Sequence, residues 1–273
     1  MIRKIKSKTG TGEWCTHEAD VGVGCENNCR YCYAACTAHR FRDSWGMPRD
    51  QWHNYRHRLD WVEKILNSRL NGATVMFPTK HDFNCHNWQD AAKCIKHMIN
   101  SGNRVLMVTK GGKWADSVIT WLVENDYLRN PTEFELRVTI TGFFATCKFW
   151  EPGASRTERL DTLHEANDRS IRTSVSCEPL LEAETICDRH DIIRLSLHSC
   201  TGDVWVGKLR NLNQRVDLSK VTNGQHARYI APLIEMQTDE NILRLVDAFK
   251  NEPRVKWKDS IREVIERNKP SSR

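Results

Sequence analysis

No stretch of this 273-residue chain approaches the roughly twenty apolar residues that cross a bilayer, so no membrane-spanning helix is expected. The basic opening MIRKIKSKTGTG has no apolar run behind it and does not read as a secretory signal. Arg3, Lys4, Lys6 and Lys8 read instead as a solvated, partly disordered tail. Repeats, low-complexity linkers and any sign of a second domain are missing, and the length suits one large domain with a sizeable core. The eleven cysteines do not fit a disulfide framework, because their number is odd and the chain is not small. They fit a reducing, cytoplasmic setting with thiols given over to metal. Acidic excess is lacking too: the net charge of +6 suits an anionic partner such as nucleic acid without requiring one. The ten tryptophans suit core and pocket walls, with some able to stack on bases.

What is present alternates between short β-rich runs and longer amphipathic stretches. A first strand is expected at about 18–23, followed by strands at 73–79, 103–109, 134–141, 171–177 and 203–209. Helices are expected near 52–70, 87–101, 113–126 and 155–168, the last opened by Ser155 with Glu158 three residues on, a capping-box signal. The interval 178–203 reads as a short helix and an irregular loop. Alternation of this kind implies a parallel sheet with right-handed crossovers. The fold class is therefore α/β, a partial (β/α)6 barrel. The pattern divides the chain into a tail at 1–17, a barrel at 18–210 and a C-terminal helical extension at 211–273, with helices from Thr238 and near 258–267.

The densest chemical signal is GCENNCRYCY, residues 24–33, which holds Cys25, Cys29 and Cys32 as C-x-x-x-C-x-x-C with Tyr31 before the last cysteine. Three thiolates can hold a four-iron, four-sulfur cluster and leave one iron open to a small molecule, whereas four close the site for electron transfer. Gly22 and Gly24 give the chain room to turn into this loop. Cys36 lies four residues beyond Cys32 and is available as a fourth ligand to zinc or to a closed cluster. Zinc sites, however, usually pair two separated C-x-x-C elements rather than one tight triplet. In a parallel barrel this loop falls at the C-terminal strand ends, where chemistry is done.

The triplet resembles the signature of the radical S-adenosylmethionine (radical SAM) superfamily. Further stretches resemble its spore photoproduct lyase-related subgroup: FPTKHDFNC (77–85), MVTKGGKWADSVITWL (107–122), FWEPGASRTERLDTLHEAN (149–167), TSVSCEPLL (173–181) and VWVGKL (204–209). The likeness covers roughly residues 18–210 and is carried by the ordered series. It implies a radical SAM-type barrel, a 4Fe-4S cluster on Cys25, Cys29 and Cys32, and S-adenosylmethionine bound through its amino and carboxylate groups to the fourth iron. One electron, from a donor such as flavodoxin or ferredoxin, would cleave the sulfonium, and the resulting 5′-deoxyadenosyl radical would take a hydrogen atom from substrate.

The resemblance also implies cofactor-side roles. Tyr31 would lie by the adenine, and Asp82, or less readily Thr79, would stand where many members use G-G-E for the methionine amine. Thr139 and Thr141, alternating on one strand, would reach ribose or carboxylate. Lys110, Glu151 and Glu178 are strand-end polar residues that would meet cofactor or substrate, and Lys110 precedes two glycines, suiting an anionic group. Glu151 and Arg159 also fit a structural ion pair. His81 and His86 read as solvent-facing loop residues. A lyase of that type needs a hydrogen-atom donor, for which Cys85, Cys147 and Cys177 sit at strand ends, with Cys85 preferred.

Nucleic acid or a nucleotide, DNA or RNA, is the substrate class the likeness raises. Arg40, Arg42, Arg49, Arg56 and Arg58 among Phe41, Trp45, Trp52 and Tyr55 suit phosphates and stacked bases, or equally a solvated surface with its aromatics packed inward. Two other readings stand beside it: a radical SAM enzyme for a peptide or small metabolite, and a non-catalytic iron–sulfur or zinc protein that binds nucleic acid.

Overall fold

A computed structural model describes residues 1–40, 47–125, 132–142, 148–181 and 186–269. Its strands are β1 (Ile2–Lys4), β2 (His17–Ala19), β3 (Gly22–Val23), β4 (Arg56–His57), β5 (Thr74–Phe77), β6 (Arg104–Thr109), β7 (Phe134–Thr139), β8 (Thr173–Cys177), β9 (Val204–Val206) and β10 (Val255–Trp257). The main sheet runs β1-β2-β5-β6-β7-β8-β9-β10, parallel throughout except for the antiparallel β1–β2 pair. The principal helices are α1 (Tyr33–Arg40), α2 (Leu59–Leu66), α3 (Trp88–Asn100), α4 (Lys113–Glu124), α5 (Arg156–Asp168), α6 (Ile186–Ser199), α7 (Asp239–Ala248) and α8 (Asp259–Arg267). Strands followed by helices give the α/β architecture of a partial barrel.

Side-chain alternation sorts the two faces of each strand. Leu136 and Val138 of β7, with Val175 and Cys177 of β8, join the apolar core that also holds Ile95 of α3, Val118 of α4 and Leu163 of α5. Glu135, Arg137 and Thr139 take the opposite face. There Arg137 donates to Glu135 at 2.7 Å and to Ser174 Oγ at 2.9 Å, and its guanidinium lies over the rings of Trp14 and Trp205. On β7 and β8 the inner face is therefore polar and tied by charge.

Several sequence expectations change. The basic start is not a loose tail: Ile2–Lys4 forms an edge strand, and the 3-10 turn Gly10–Glu13 is tied to the end of the chain through Lys258. No strand pairing joins β1 to β10 among the described residues. Instead Glu13 bridges to the end of β10, taking Lys258 at 2.9 Å and Arg262 at 2.6 Å. The expected first strand breaks after Ala19, because the Asp20 carboxylate accepts the backbone N–H groups of Thr79 and Lys80 at 2.9 Å each. Gly22–Val23 then leaves to pair with Arg56–His57, which also shortens the helix expected at 52–70 to Leu59–Leu66. The interval 178–203 contains a 14-residue helix, α6. Its buried positions include Arg189, Ile192, Ile193, Ser196 and Ser199, so polar residues blur the apolar period. The C-terminal stretch adds a strand, β10, to its helices. The capping box forms as read: Ser155 and Glu158 bond reciprocally at 3.2 and 2.7 Å.

Candidate functional site

The cysteine loop leaves β3 through Gly24, whose φ is +89° and whose hypothetical Cβ would stand 2.8 Å from the Trp52 carbonyl oxygen. Only glycine meets both conditions. Cys25 N–H donates to Trp52 O at 2.7 Å, Arg30 N–H to Trp150 O at 3.0 Å, and Cys32 N–H to Cys29 O at 3.1 Å. Arg30 Nε adds a bond to Phe149 O at 2.8 Å. The loop is thus held mainly by backbone; of its thiols, Cys29 donates weakly to Asn27 O at 3.8 Å. Gly153 belongs to the E-P-G stretch, and a Cβ there would stand 2.2 Å from Asn27 Oδ1. That glycine lets the two loops touch.

Cys25, Cys29 and Cys32 line one cavity of about 290 Å³. Its wall also includes Tyr31, Thr79, His81, Asp82, Thr109, Lys110, Thr139, Ser176 and Glu178, which come from the cysteine loop and the C-terminal ends of β5 to β8. Burial pushes all three thiols up, Cys29 to about 12, and at Cys25 the nearby Asp82 and the other two cysteines add to the effect. Buried thiols of this kind give up their protons to a bound metal rather than to water. Among the described residues no three His, Cys, Asp or Glu side chains are gathered around one point for a single ion. Three thiols on one cavity wall are the donor set that a 4Fe-4S cluster with one open iron requires. Cys36 turns away, its Sγ donating to the carbonyls of Gln214 at 3.3 Å and Arg215 at 3.7 Å.

Asp82 is the hub of this wall. Oδ1 accepts Phe83 N–H at 2.9 Å and Thr109 Oγ1 at 2.6 Å, while Oδ2 accepts Asn27 Nδ2 and Lys110 N–H at 2.9 Å each. A carboxylate offers about four acceptor positions, and all are filled. Asp82 therefore ties the cysteine loop to β6.

Behind it sits a second carboxylate. Glu151 Oε1 accepts Lys110 Nζ at 2.6 Å and the Tyr31 hydroxyl, while Oε2 accepts Arg159 at 2.6 Å and Thr141 Oγ1 at 2.9 Å. The Glu151 side chain is wholly buried and is not part of the cavity wall, so the ion-pair reading of Glu151 and Arg159 describes what is there. Thr141, also fully buried, serves Glu151 and does not reach the cavity that Thr139 lines. Burial lowers the affinity of Lys110 for its proton, and the buried cysteines, Asp82 among other groups, oppose that.

Other residues depart from expectation. Cys85 is exposed and does not line the cavity. Cys177 faces the helix layer, its Sγ 3.6 Å from Ser196 Oγ of α6. Cys147 lies outside the described residues. His81 is buried, not solvent-facing: Nε2 accepts Val21 N–H at 3.1 Å, so Nδ1 carries the hydrogen and donates to Asp82 O at 3.1 Å. His86 is exposed, as read.

In the arginine–aromatic segment, Trp52 is buried, Arg49 donates to the Gln214 and Arg215 carbonyls, and Arg58 pairs with Asp60 at 2.8 Å. These residues build structure rather than a base-stacking face. Phe41, Arg42 and Trp45 lie outside the described residues. Sequence reasoning missed Asn27, Trp14 and Arg215 of the cavity wall. Nothing in the linear sequence marks them, since each reaches the wall through contacts distant along the chain.

No family model matches the chain, and no curated protein matches it in sequence. Solved structures do match in fold. Spore photoproduct lyase, as a cysteine-to-alanine mutant with dinucleoside spore photoproduct, aligns with a TM-score of 0.60 at 13% identity, covering 94% of this chain and 78% of that one. Streptococcus suis SuiB bound to S-adenosylmethionine aligns with a TM-score of 0.52 at 9% identity, over 86% of this chain and 48% of SuiB. At these identities the likeness shows a shared fold.

Proposed function

We propose that this chain is a cytoplasmic radical SAM enzyme. The observation that carries the reading is the convergence of Cys25, Cys29 and Cys32 on one cavity at the C-terminal strand ends, in a fold shared with an S-adenosylmethionine-bound protein. Cys25, Cys29 and Cys32 hold a 4Fe-4S cluster, and S-adenosylmethionine occupies the cavity beside it. When bound and reduced by a small electron-transfer protein, the cluster supplies the electron that cleaves the sulfonium and starts radical chemistry.

The chain's own residues then have defined work. Asp82 positions: through Asn27 and the Lys110 N–H it fixes the cysteine loop against β6. Glu151 holds Lys110 and Tyr31 in place from behind, and both line the cavity that the cofactor would occupy. Thr139 and Glu178 offer polar contacts from β7 and the end of β8. Cys85 and Cys147 stay the candidate hydrogen-atom donors, while Cys177 faces the helices. A nucleic acid or nucleotide is the proposed substrate class, in keeping with the motifs and with the dinucleoside in the lyase structure.

The test is anaerobic. The chain is reconstituted with iron and sulfide, reduced with dithionite and given S-adenosylmethionine, beside Cys29→Ala. 5′-Deoxyadenosine and methionine from wild type alone support the enzyme. A well-formed cluster that cleaves nothing, and that Cys36→Ala opens to S-adenosylmethionine, replaces it with a closed electron-transfer site.

A further inference from the structure

The cavity wall includes one cation with no visible counter-charge. Arg215 lines it together with Cys25, Tyr33 and Glu178, is half-buried, and makes no side-chain hydrogen bond or ion pair among the described residues. The lysines on that wall are neutralised: Lys80 by Glu18 at 2.6 Å and Asp20 at 3.3 Å, Lys110 by Glu151 at 2.6 Å. Arg215 is also held in place through its backbone. Its carbonyl accepts Arg49 and the Cys36 thiol, so the short helix Leu212–Arg215 is strapped to the segment that follows the cysteine loop. A guanidinium set by its backbone on the cavity wall, with no ion pair among the described residues, is poised for an anion from a ligand.

Two further observations say which ligand. Arg215 lies beyond the stretch that resembles the superfamily, about 18–210. S-adenosylmethionine is common to that superfamily and the substrate is not, so a residue outside the superfamily's motifs suits the substrate. On the other side of the same strap, Val216 and Asp217 line a second concavity of about 560 Å³. Arg30, Arg49, Lys148 and Lys220 line it against two carboxylates, Asp50 and Asp217, with Cys29 reaching both spaces. Phe149 and Tyr229 stack beside it, with ring centroids 4.3 Å apart. Cations next to aromatic faces suit a phosphate-bearing chain better than an isolated carboxylate.

We propose that Arg215 is a specificity-determining residue that recognises a phosphate of a nucleotide-type substrate inside the cavity. This rests on the radical SAM reading for the identity of the cavity, and its test is an equilibrium measurement without turnover. Thymidylyl-thymidine and its neutral methylphosphonate counterpart are titrated into the full anaerobic chain, with S-adenosylmethionine binding measured on the same preparations. Wild type is expected to favour the phosphodiester by at least about tenfold, the size of a lost charge-assisted hydrogen bond. Arg215→Gln removes the preference, Arg215→Lys keeps part of it, and neither changes S-adenosylmethionine affinity. The Arg215 carbonyl, which holds the strap, is untouched by either change.

Equal or absent binding of the two probes in wild type overturns the proposal, as does a preference that survives Arg215→Gln. A parallel loss of S-adenosylmethionine binding would give Arg215 to the cofactor instead. N-acetylglutamate competing as well as the dinucleotide would make the site one for carboxylates. Failure to cleave S-adenosylmethionine leaves the binding comparison intact, so the two readings fail separately.

Discussion

Replacing Glu151 by glutamine keeps the shape of the side chain and removes its charge. Both carboxylate oxygens accept two donors: Lys110 and Tyr31 on one, Arg159 and Thr141 on the other. An amide has one acceptor oxygen, and its NH2 must point at donors whichever way it is turned. Two buried cations then lose their shared counter-charge. Removing one partner of a buried ion pair costs about 3–5 kcal/mol, because the remaining charge stays buried. For a chain of this size 1 kcal/mol moves the midpoint by about 2 °C, so Glu151→Gln should lower Tm by roughly 6–10 °C. The assay is thermal unfolding of the metal-free, reduced chain by circular dichroism, which keeps cluster stability out of the comparison. Lys110→Met combined with Glu151→Gln should recover part of the loss, since one stranded cation is gone. A Tm within about 2 °C of wild type in the single variant would refute the reasoning, because the buried triad would then carry no net attraction.

Three other outcomes are expected. Cys36→Ala should keep wild-type iron and sulfide per chain after reconstitution, while Cys25→Ala, Cys29→Ala and Cys32→Ala should each lose most of it; iron content and the charge-transfer absorption read this directly. Gly153→Ala should displace Asn27, whose Oδ1 lies 2.2 Å from the added Cβ, and lower cluster loading while leaving the far-ultraviolet spectrum near wild type. Burial holds His81 below the ordinary histidine range, with Asp20 opposing. Its folded form is therefore neutral, and the unfolded chain takes up the proton first. Stability should be full above about pH 6.5 and fall as pH drops from there towards the lowered folded value. His81→Gln should flatten that part of a urea-unfolding pH profile, and an unchanged slope counts against the assignment.

The sequence made the strands after the first legible because each is a run of β-branched and apolar residues followed by a turn. It also made the cysteine loop legible, because three thiols at that spacing have few other uses. Sites formed from one such loop are local, and local patterns survive in a linear reading. Partners at long range did not. Asp20 reads as an ordinary strand residue, yet its carboxylate breaks the first strand by capping the N–H groups of Thr79 and Lys80. His81 looks like a loop histidine until Val21 N–H meets its ring. The basic opening suggested a solvated tail because its charge dominates the composition, while the residue that fixes it, Glu13, acts through Lys258 and Arg262.

These long-range contacts explain how an open sheet can still enclose a site. Among the described residues strand pairing leaves β1 and β10 unjoined, so the interior between them is filled by something other than a ladder. The turn Gly10–Glu13 and Trp14 fill it. Lys258 donates to Gly10 O at 2.7 Å and to Glu13 at 2.9 Å, and its ammonium lies 3.9 Å from the Trp14 ring centroid. Gly10, Thr11 and Trp14 then become cavity wall together with the cysteines. Since Lys258 is also 3.5 Å from Glu178, the same ammonium couples this plug to the end of β8. The N-terminal residues therefore belong to the site, and a truncation that removes them would open the cavity from behind and leave Lys258 buried without its strongest acceptor.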